Sequence, residues 1–253
     1  MQEPIVVIVL ISLIFITAGI VKGVLGMGLP TVAIGILGLI MPPVEAAAML
    51  VLPSLITNLW QLIAGSSFAA LSKRFGTLLI GICLGTPIGV TFITSGNSHI
   101  VTTGLGVVLI VYGAYGLSAA KLSVAPENEW WFSPLVGVVT GILMGATGIS
   151  ALPVAPYFTA LHLKKDDLIQ ALGLSFTVSS FALAVGLLAT GQFQMGIATS
   201  SLLALVPAFA GLFLGQTIRN RLRQEVFRRC FFIGLLVLGT YMALRSLSLA
   251  LAG

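Results

Sequence analysis

Two stretches of the chain combine glycine, proline and hydroxyl-bearing residues in a pattern suited to holding an anion. The first, 26–31, reads Gly-Met-Gly-Leu-Pro-Thr, and the second, 145–153, reads Gly-Ala-Thr-Gly-Ile-Ser-Ala-Leu-Pro. Such residues break a helix and free backbone N–H groups, which a membrane tolerates only beside protein or a water-filled cavity. N–H groups at a helix start bind anions, and hydroxyls add donors. We therefore predict an anion site here; the alternative is that the glycines only permit close helix packing. The hydroxyl donors are Thr31, Thr140, Thr147 and Ser150.

Lys22 is the only charged residue between Glu3 and Glu45. A positive charge inside a broken membrane helix is suited to attract an anion. The alternative is that Lys22 lies at a helix end and extends to the lipid headgroups. Thr140 occupies the matching place in a second copy of the same motif, so the second copy lacks the charge.

Polar side chains also recur on the helix predicted after each break. Ser54, Thr57, Asn58 and Gln61 lie three to four residues apart, which puts them on one face of a helix. Gln170, Ser175, Thr177, Ser179 and Ser180 form the corresponding set in the second copy. Substrate contact and hydrogen bonding between helices explain both sets equally well. Our candidate substrate-binding residues are Lys22, Gly26, Gly28, Thr31, Asn58, Thr147, Gly148, Ser150 and Gln170.

Several kinds of chemistry lack the residues they need. The sequence has no His, Cys, Asp or Glu cluster at metal-ligand spacing, no catalytic triad pattern and no phosphate-binding loop, so we expect neither an enzyme nor a cofactor. Away from segment ends, no carboxylate lies in an apolar run, whereas proton-driven carriers usually keep one there. This favours facilitated flux or a proton carried on the substrate itself.

The elements that must position these residues are membrane helices. Only 8% of the 253 residues are charged and 58% are hydrophobic, whereas soluble domains carry about 25% charged residues. Long apolar runs without strand-like alternation predict an all-α polytopic membrane protein that contacts lipid throughout. The net charge of +5 is concentrated in Arg219, Arg221, Arg223, Arg228 and Arg229, which is typical of a cytoplasmic loop rather than of nucleic-acid binding.

The chain also repeats itself. The sequence from Gly19 to Leu25 reappears from Gly137 to Leu143, and Gly81-Ile-Cys-Leu-Gly85 corresponds to Gly211-Leu-Phe-Leu-Gly215. Wherever a loop of one copy carries Lys or Arg, the matching loop of the other is bare, so we predict two halves of opposite orientation. We predict a first repeat over 1–118, a cytoplasmic linker over 119–131 and a second, inverted repeat over 132–253.

Inversion requires an odd number of crossings in each half. Apolar runs at 46–64, 75–94 and 99–118 supply three, and 5–41 is read as an out-and-back pair; 132–162 behaves likewise. This predicts five segments per half, with both termini outside the cytoplasm. Whether 5–41 and 132–162 are full hairpins or re-entrant segments stays open.

The broken motifs with their following acidic turns, Glu45-Ala-Ala-Ala and Asp167-Leu-Ile-Gln170, resemble the TauE/SafE sulfite-exporter-like family over essentially the whole chain. The resemblance implies a multi-pass inner-membrane transporter that exports sulfite or organosulfur anions. Family members often have a fuller glycine run ending in Val-Pro, whereas this chain has Gly-Met-Gly-Leu-Pro, which puts the particular anion in doubt. A non-transporting anchor or assembly subunit of a larger complex is the alternative, and a homodimer is left open.

Overall fold

The structure, a computed structural model, describes residues 4–118, 122–193, 195–219, 221 and 223–252. Within these residues the chain is all-helical, as predicted, with twelve α-helices and one 3₁₀ turn. Residues 119–121 of the predicted linker lie outside the described residues. The 3₁₀ turn Pro126–Asn128 lies within the predicted linker. The α-helices are α1 Pro4–Leu25, α2 Leu29–Leu37, α3 Pro43–Ile63, α4 Phe68–Arg74, α5 Gly76–Ile93, α6 Ser98–Leu117, α7 Glu129–Thr147, α8 Val154–Ala160, α9 Lys165–Ala189, α10 Met195–Leu203, α11 Leu205–Arg219 and α12 Gln224–Ala252.

Eight segments of the described chain are long and apolar enough to cross a membrane. Three of them, α3, α5 and α6, coincide with the apolar runs predicted at 46–64, 75–94 and 99–118. The helices α2 and α8 have nine and seven residues, so at 1.5 Å per residue each covers less than half of a hydrocarbon core of about 30 Å. The ten segments expected from the sequence, five per half, stay a prediction. The short helix α4 was not foreseen, and α10 belongs to the long apolar segment Gly196–Arg219.

The helices cluster into two compact units. The first contains α1, α2, α3 as far as Pro53, α6, α10, α11 and α12. The second contains the rest of α3 from Ser54, α4, α5, α7, α8 and α9. Each unit therefore draws helices from both predicted sequence repeats. The division at 118 and 132 describes a duplication in the sequence and stays a prediction.

Glycine seams hold the helix pairs together within each unit. In the first unit, Gly19 and Gly23 of α1 pack on α11; the Cα atoms of Gly211 and Gly215 lie 3.0 and 2.8 Å from ideal Cβ positions at Gly19 and Gly23. In the second unit, three glycines of α5 face three of α7 in the same way. Close helix packing, one of the two alternatives drawn from the sequence, is thus what these glycines do. The facing sets in the second unit are Gly81, Gly85 and Gly89 on α5, and Gly137, Gly141 and Gly145 on α7.

Large apolar side chains cover the outside of these pairs. On α5, Ile80, Leu84 and Ile88 are exposed at four-residue spacing, each one position before a seam glycine. A helix with small residues inside and large aliphatic residues outside is typical of membrane proteins, where lipid replaces water at the surface. The exposure of these residues agrees with a polytopic membrane protein.

Candidate functional site

The first predicted break separates α1 from α2 in the first unit. Gly26 and Gly28 both adopt positive φ angles, 76° and 101°, which L-residues other than glycine rarely adopt. Gly28 caps α2 without a side-chain hydrogen bond. Thr31, in the first turn of α2, is buried. The three predicted residues of this break therefore surround a helix start whose polar groups face the protein interior.

Lys22 lies one helical turn before the break. Its carbonyl accepts the N–H of Gly26 at 2.7 Å, and its side chain is only 2% exposed. A lysine that extends to the headgroups would place its ammonium at the surface of the unit. In this structure the side chain stays inside, close in the chain to the start of α2.

A cavity of about 330 Å³ opens beside the first break. Leu25 and Met27 form one wall, and α12 supplies Glu225, Arg228 and Phe231. The sequence did not single out Arg228 as a site residue, because 200 residues separate it from Met27 and the arginine cluster had a sufficient explanation as a loop.

Aromatic side chains close the inner end of this region. The Tyr112 hydroxyl donates to Met27 Sδ at 3.2 Å, and the ring stacks edge-on against Phe231 and Phe232, with centroids 6.4 and 5.3 Å apart. Phe231 Cζ also lies 3.2 Å from an ideal Cβ position at Gly28. Aromatic side chains of α6 and α12 thus pack around Met27 and Gly28, next to the cavity.

The second predicted break separates α7 from α8 in the second unit. α7 ends at Thr147 and is capped by Gly148, with φ 75°; Thr147 and the nearby Ser150 are both buried. The Thr147 hydroxyl donates to the carbonyl of Leu143 at 2.7 Å and accepts from the N–H of Ile149 at 3.3 Å. With seven residues, α8 makes fewer than two turns, so its dipole is weaker than that of α2. Hydroxyl groups are the main polar chemistry at this break.

The polar sets of α3 and α9 meet within the second unit. The Asn58 amide donates to Ser180 Oγ at 3.3 Å, and the Gln61 amide donates to the carbonyl of Ile169 at 2.8 Å. These bonds join helices, which was one of the two equal alternatives for these residues. Asn58 is fully buried, as a residue that contacts a substrate inside the membrane would be.

Gln170 uses both ends of its amide on backbone. It donates to the carbonyl of Leu62 at 2.9 Å and accepts from the N–H of Ser67 at 2.8 Å. The side chain fills the space beside Gly65, where a Cβ would collide with it. Gln170 therefore holds the turn between α3 and α4 in place, and its amide is already engaged.

Three hydroxyls of the second unit stand apart from the rest. Most buried hydroxyls there donate to a carbonyl three or four residues earlier, as Thr86 does to Ile82 at 2.8 Å. Among the described residues, the buried oxygens of Ser54, Ser72 and Thr140 have no hydrogen-bond partner. A buried hydroxyl without a partner costs about 1–3 kcal/mol, so a bound molecule at such a position would recover that free energy.

The nine candidate residues divide between the two units. Lys22, Gly26, Gly28 and Thr31 come together at the first break, in the first unit. Asn58, Thr147, Gly148, Ser150 and Gln170 belong to the second unit, on or beside α3, α7 and α9. Sequence reasoning missed Arg228, Phe231 and Tyr112. The polar Tyr112 within the apolar run 99–118 was the one available signal.

Comparison with known proteins gives one result. A family model described as Sulfite exporter TauE/SafE matches residues 11–242, nearly the whole chain. No curated protein and no solved structure gives a significant match. The match includes both breaks, both glycine seams and the arginine-bearing start of α12.

Proposed function

Because this chain belongs to the sulfite exporter TauE/SafE family, whose members are membrane transporters of sulfur anions, we propose that it exports sulfite or an organosulfur anion across the cytoplasmic membrane. It acts as a secondary transporter, with the first break as the main contact site for the anion. The partners are the small anion and the surrounding lipid. The particular anion is set by the residues at the two breaks.

The observation that carries this proposal is the first break itself. A buried lysine and an uncapped helix start, with its positive end of the dipole, lie within a few residues of each other. Both features favour negative charge at this place. A small anion bound here is attracted by the lysine and by the positive end of the helix dipole together.

The direction of helices within each unit supports an inverted repeat. α6 and α12, which correspond in the two predicted halves, run antiparallel: Gly106 packs beside Ala243, and Gly113 packs beside Leu236. α3 and α9 also correspond and also run antiparallel, since Asn58 meets Ser180 whereas Gln61 meets Ile169. Corresponding helices of opposite direction are what an in-plane two-fold axis produces.

The same register makes α2 a return leg. Gly28, Gly35 and Gly38 approach Phe231, Leu238 and Met242 in turn, so α2 runs parallel to α12 and opposite to α6. We infer that each half has five legs, the second of them short. With the arginine cluster at 219–229 on the cytoplasmic side, both chain termini lie outside the cytoplasm.

The second break offers neutral hydrogen-bond donors within the second unit. Thr140 replaces Lys22 in the duplicated motif, and its buried oxygen has no partner among the described residues. Ser150 and Thr147 flank the break, and Asn58 offers an amide in the same unit. Hydroxyl and amide donors suit the oxygens of a sulfur oxyanion. Gln170 has the weakest case for substrate contact, because its amide is engaged.

Flux of radiolabelled sulfite and sulfate into proteoliposomes, with and without a pH gradient, tests the proposal. We expect saturable sulfite flux that is lost in Gly28→Leu, because a side chain there meets Val21 and Phe231 and strains a positive φ. The matched control is Gly104→Leu, a helical glycine with open space at its Cβ position. Absence of flux for either anion in folded wild-type protein contradicts the proposed substrate. Flux that survives Gly28→Leu contradicts the site.

A further inference from the structure

We propose that a second cavity in the first unit, at the opposite end of α12 from the first break, is a binding site for a small oxyanion of sulfur. The cavity has a volume of about 310 Å³, and its polar lining residues include His99, Thr102, Arg245 and Ser246. This inference rests on the proposed function, because the anion that binds there is the transported one. It adds a release site to the contact site at the first break.

The second cavity has an apolar wall from residues 38–42 and Met242, and its polar side carries one cation with hydroxyl groups. Arg245 carries the charge, and no Asp or Glu is among the lining residues. The cavity at the first break differs here, because Glu225 shares its wall with Arg228. A guanidinium with hydroxyl neighbours favours anions here, since no carboxylate in the wall competes for its charge.

Arg245 has unused capacity. Within the described part of the chain its guanidinium makes one hydrogen bond, from Nη1 to the carbonyl of Leu39 at 3.3 Å. A guanidinium has five N–H donors, so most stay available for an oxyanion. The bond to Leu39 also fixes the arginine against the turn that follows α2.

The wall around Arg245 is held by hydrogen bonds. The Ser246 hydroxyl is buried; it donates to the carbonyl of His99 at 2.8 Å and accepts from Thr103 Oγ1 at 2.9 Å. These bonds tie α12 to the first two turns of α6. A site whose lining is positioned before the ligand arrives pays less entropy on binding. The cavity also has room for an oxyanion with some of its hydration, since one water molecule occupies about 30 Å³.

The two cavities lie at the two ends of α2. Met27, before α2, lines the first cavity, and residues 38–42, after α2, line the second. On α12, Arg228 and Arg245 are 17 positions apart, which corresponds to roughly 25 Å along the helix. That distance approaches the thickness of the hydrocarbon core, about 30 Å. The second cavity therefore lies on the side of the first unit away from the arginine cluster, toward the face where an exported anion leaves.

Arginine modification in the wild-type protein tests this site without requiring transport. Detergent-purified protein is treated with phenylglyoxal in sulfate, or in chloride of equal ionic strength, and each arginine is followed by mass spectrometry. Sulfate is the probe because sulfite itself adds to the reagent's carbonyl groups. We expect near-saturating sulfate to slow modification of Arg245 by about tenfold, since only the unoccupied site reacts.

Arg221 and Arg229 are the internal controls. Both are exposed, and neither lines either cavity. Sulfate that protects Arg245 no more than these two overturns the proposal, because a general ionic effect then explains the result.

A sided transport assay separates this inference from the proposed function. In proteoliposomes of determined orientation, Arg245→Gln raises the KM for sulfite about tenfold when the anion is supplied from the face opposite residues 219–229, as expected for a lost charge-assisted hydrogen bond. Arg229→Gln leaves that KM unchanged. If the wild type carries no sulfite, the proposed function fails, while protection of Arg245 still decides the site. An equal KM for Arg245→Gln and wild type overturns the release role.

Discussion

The two breaks share one backbone device and differ in their chemistry. Each follows a helix bearing the duplicated glycine motif, and each turns at glycine with positive φ. The first break has a buried lysine, a nine-residue helix and a neighbouring arginine cavity. The second has buried hydroxyls and a helix of seven residues. The comparison teaches that the duplicated glycines preserve packing, while the residue between them, lysine or threonine, is free to set charge.

The largest loss of stability is expected on substitution of a glycine in a seam, since both units depend on such seams. Leucine at Gly89 must displace the backbone of α7, since an ideal Cβ lies 2.7 Å from the Ala146 nitrogen. We expect Gly89→Leu to yield no folded protein, because forcing apart two helices exceeds the usual overpacking cost of about 1–3 kcal/mol. Gly104→Leu, with open space, stays folded. Size-exclusion profiles and thermal unfolding in detergent decide this, and normal folding of Gly89→Leu contradicts the seam.

Substitution of Lys22 or of Thr140, its counterpart in the duplicated motif, is expected to give the next largest effect, on the rate of flux. Lys22→Gln removes the buried charge and lowers the initial rate of sulfite flux roughly hundredfold, by loss of about 1.5–3 kcal/mol of charged hydrogen bonding. Thr140→Val keeps the shape, removes an unpartnered hydroxyl and lowers the rate less than tenfold. Proteoliposome flux at matched protein amounts measures both. Equal losses in the two variants would show that the breaks contribute equally.

Within the first break, Gly28 and Gly26 can be compared directly. Alanine at Gly26 meets nothing within 4 Å, so it pays only for its positive φ, about 1–2 kcal/mol. Alanine at Gly28 has a similar backbone cost and also meets Val21 at 3.0 Å and Phe231 at 3.2 Å. We expect Gly28→Ala to lower the unfolding temperature more than Gly26→Ala. A lower unfolding temperature for Gly26→Ala than for Gly28→Ala would contradict the steric role of Val21 and Phe231.

In the second unit, Gln170→Leu distinguishes a structural amide from a substrate contact. The change leaves the carbonyl of Leu62 and the N–H of Ser67 without their partner, at a cost of about 1–3 kcal/mol. We expect lower thermal stability and an unchanged KM for sulfite. Lys22→Gln should show the opposite combination. A raised KM at unchanged stability in Gln170→Leu would restore Gln170 as a substrate contact.

The smallest effect belongs to the ion pair between α4 and α7. Arg74 donates from Nε and Nη2 to the Glu129 carboxylate at 2.8 Å, and these hydrogen bonds raise the pKa of Arg74. Because Arg74 is 44% exposed, water and salt screen the pair, and Arg74→Gln costs under about 1 kcal/mol. A double-mutant cycle with Glu129→Gln in a denaturant or thermal assay measures the coupling. A coupling above 2 kcal/mol would show that this pair, besides the glycine seam, stabilises the second unit.

Several features of the fold followed from local patterns. The apolar runs predicted α3, α5 and α6 to within a few residues, since helix length in a membrane depends on bilayer thickness. The broken stretches predicted helix ends near Leu25 and Thr147, because glycine and proline interrupt a helix at the turn in which they lie. The candidate site was reachable only in part: Lys22 and Asn58 stand out as polar residues in apolar runs, whereas Arg228 and Arg245 resemble any loop or terminal arginine.

The sequence by itself determined the membrane class, the positions of the breaks and the family, because each depends on composition or on short, contiguous motifs. Only the tertiary structure decided which glycine motifs pack together. α1 packs on α11 and α5 packs on α7, although the glycine motifs are nearly identical in sequence. The tertiary structure also showed that the Gln170 amide hydrogen-bonds to the backbone. Both cavities are lined by segments about 200 residues apart in the chain. The sequence of a small-residue seam does not specify its partner helix. The shape and hydrogen bonds of the whole unit specify it.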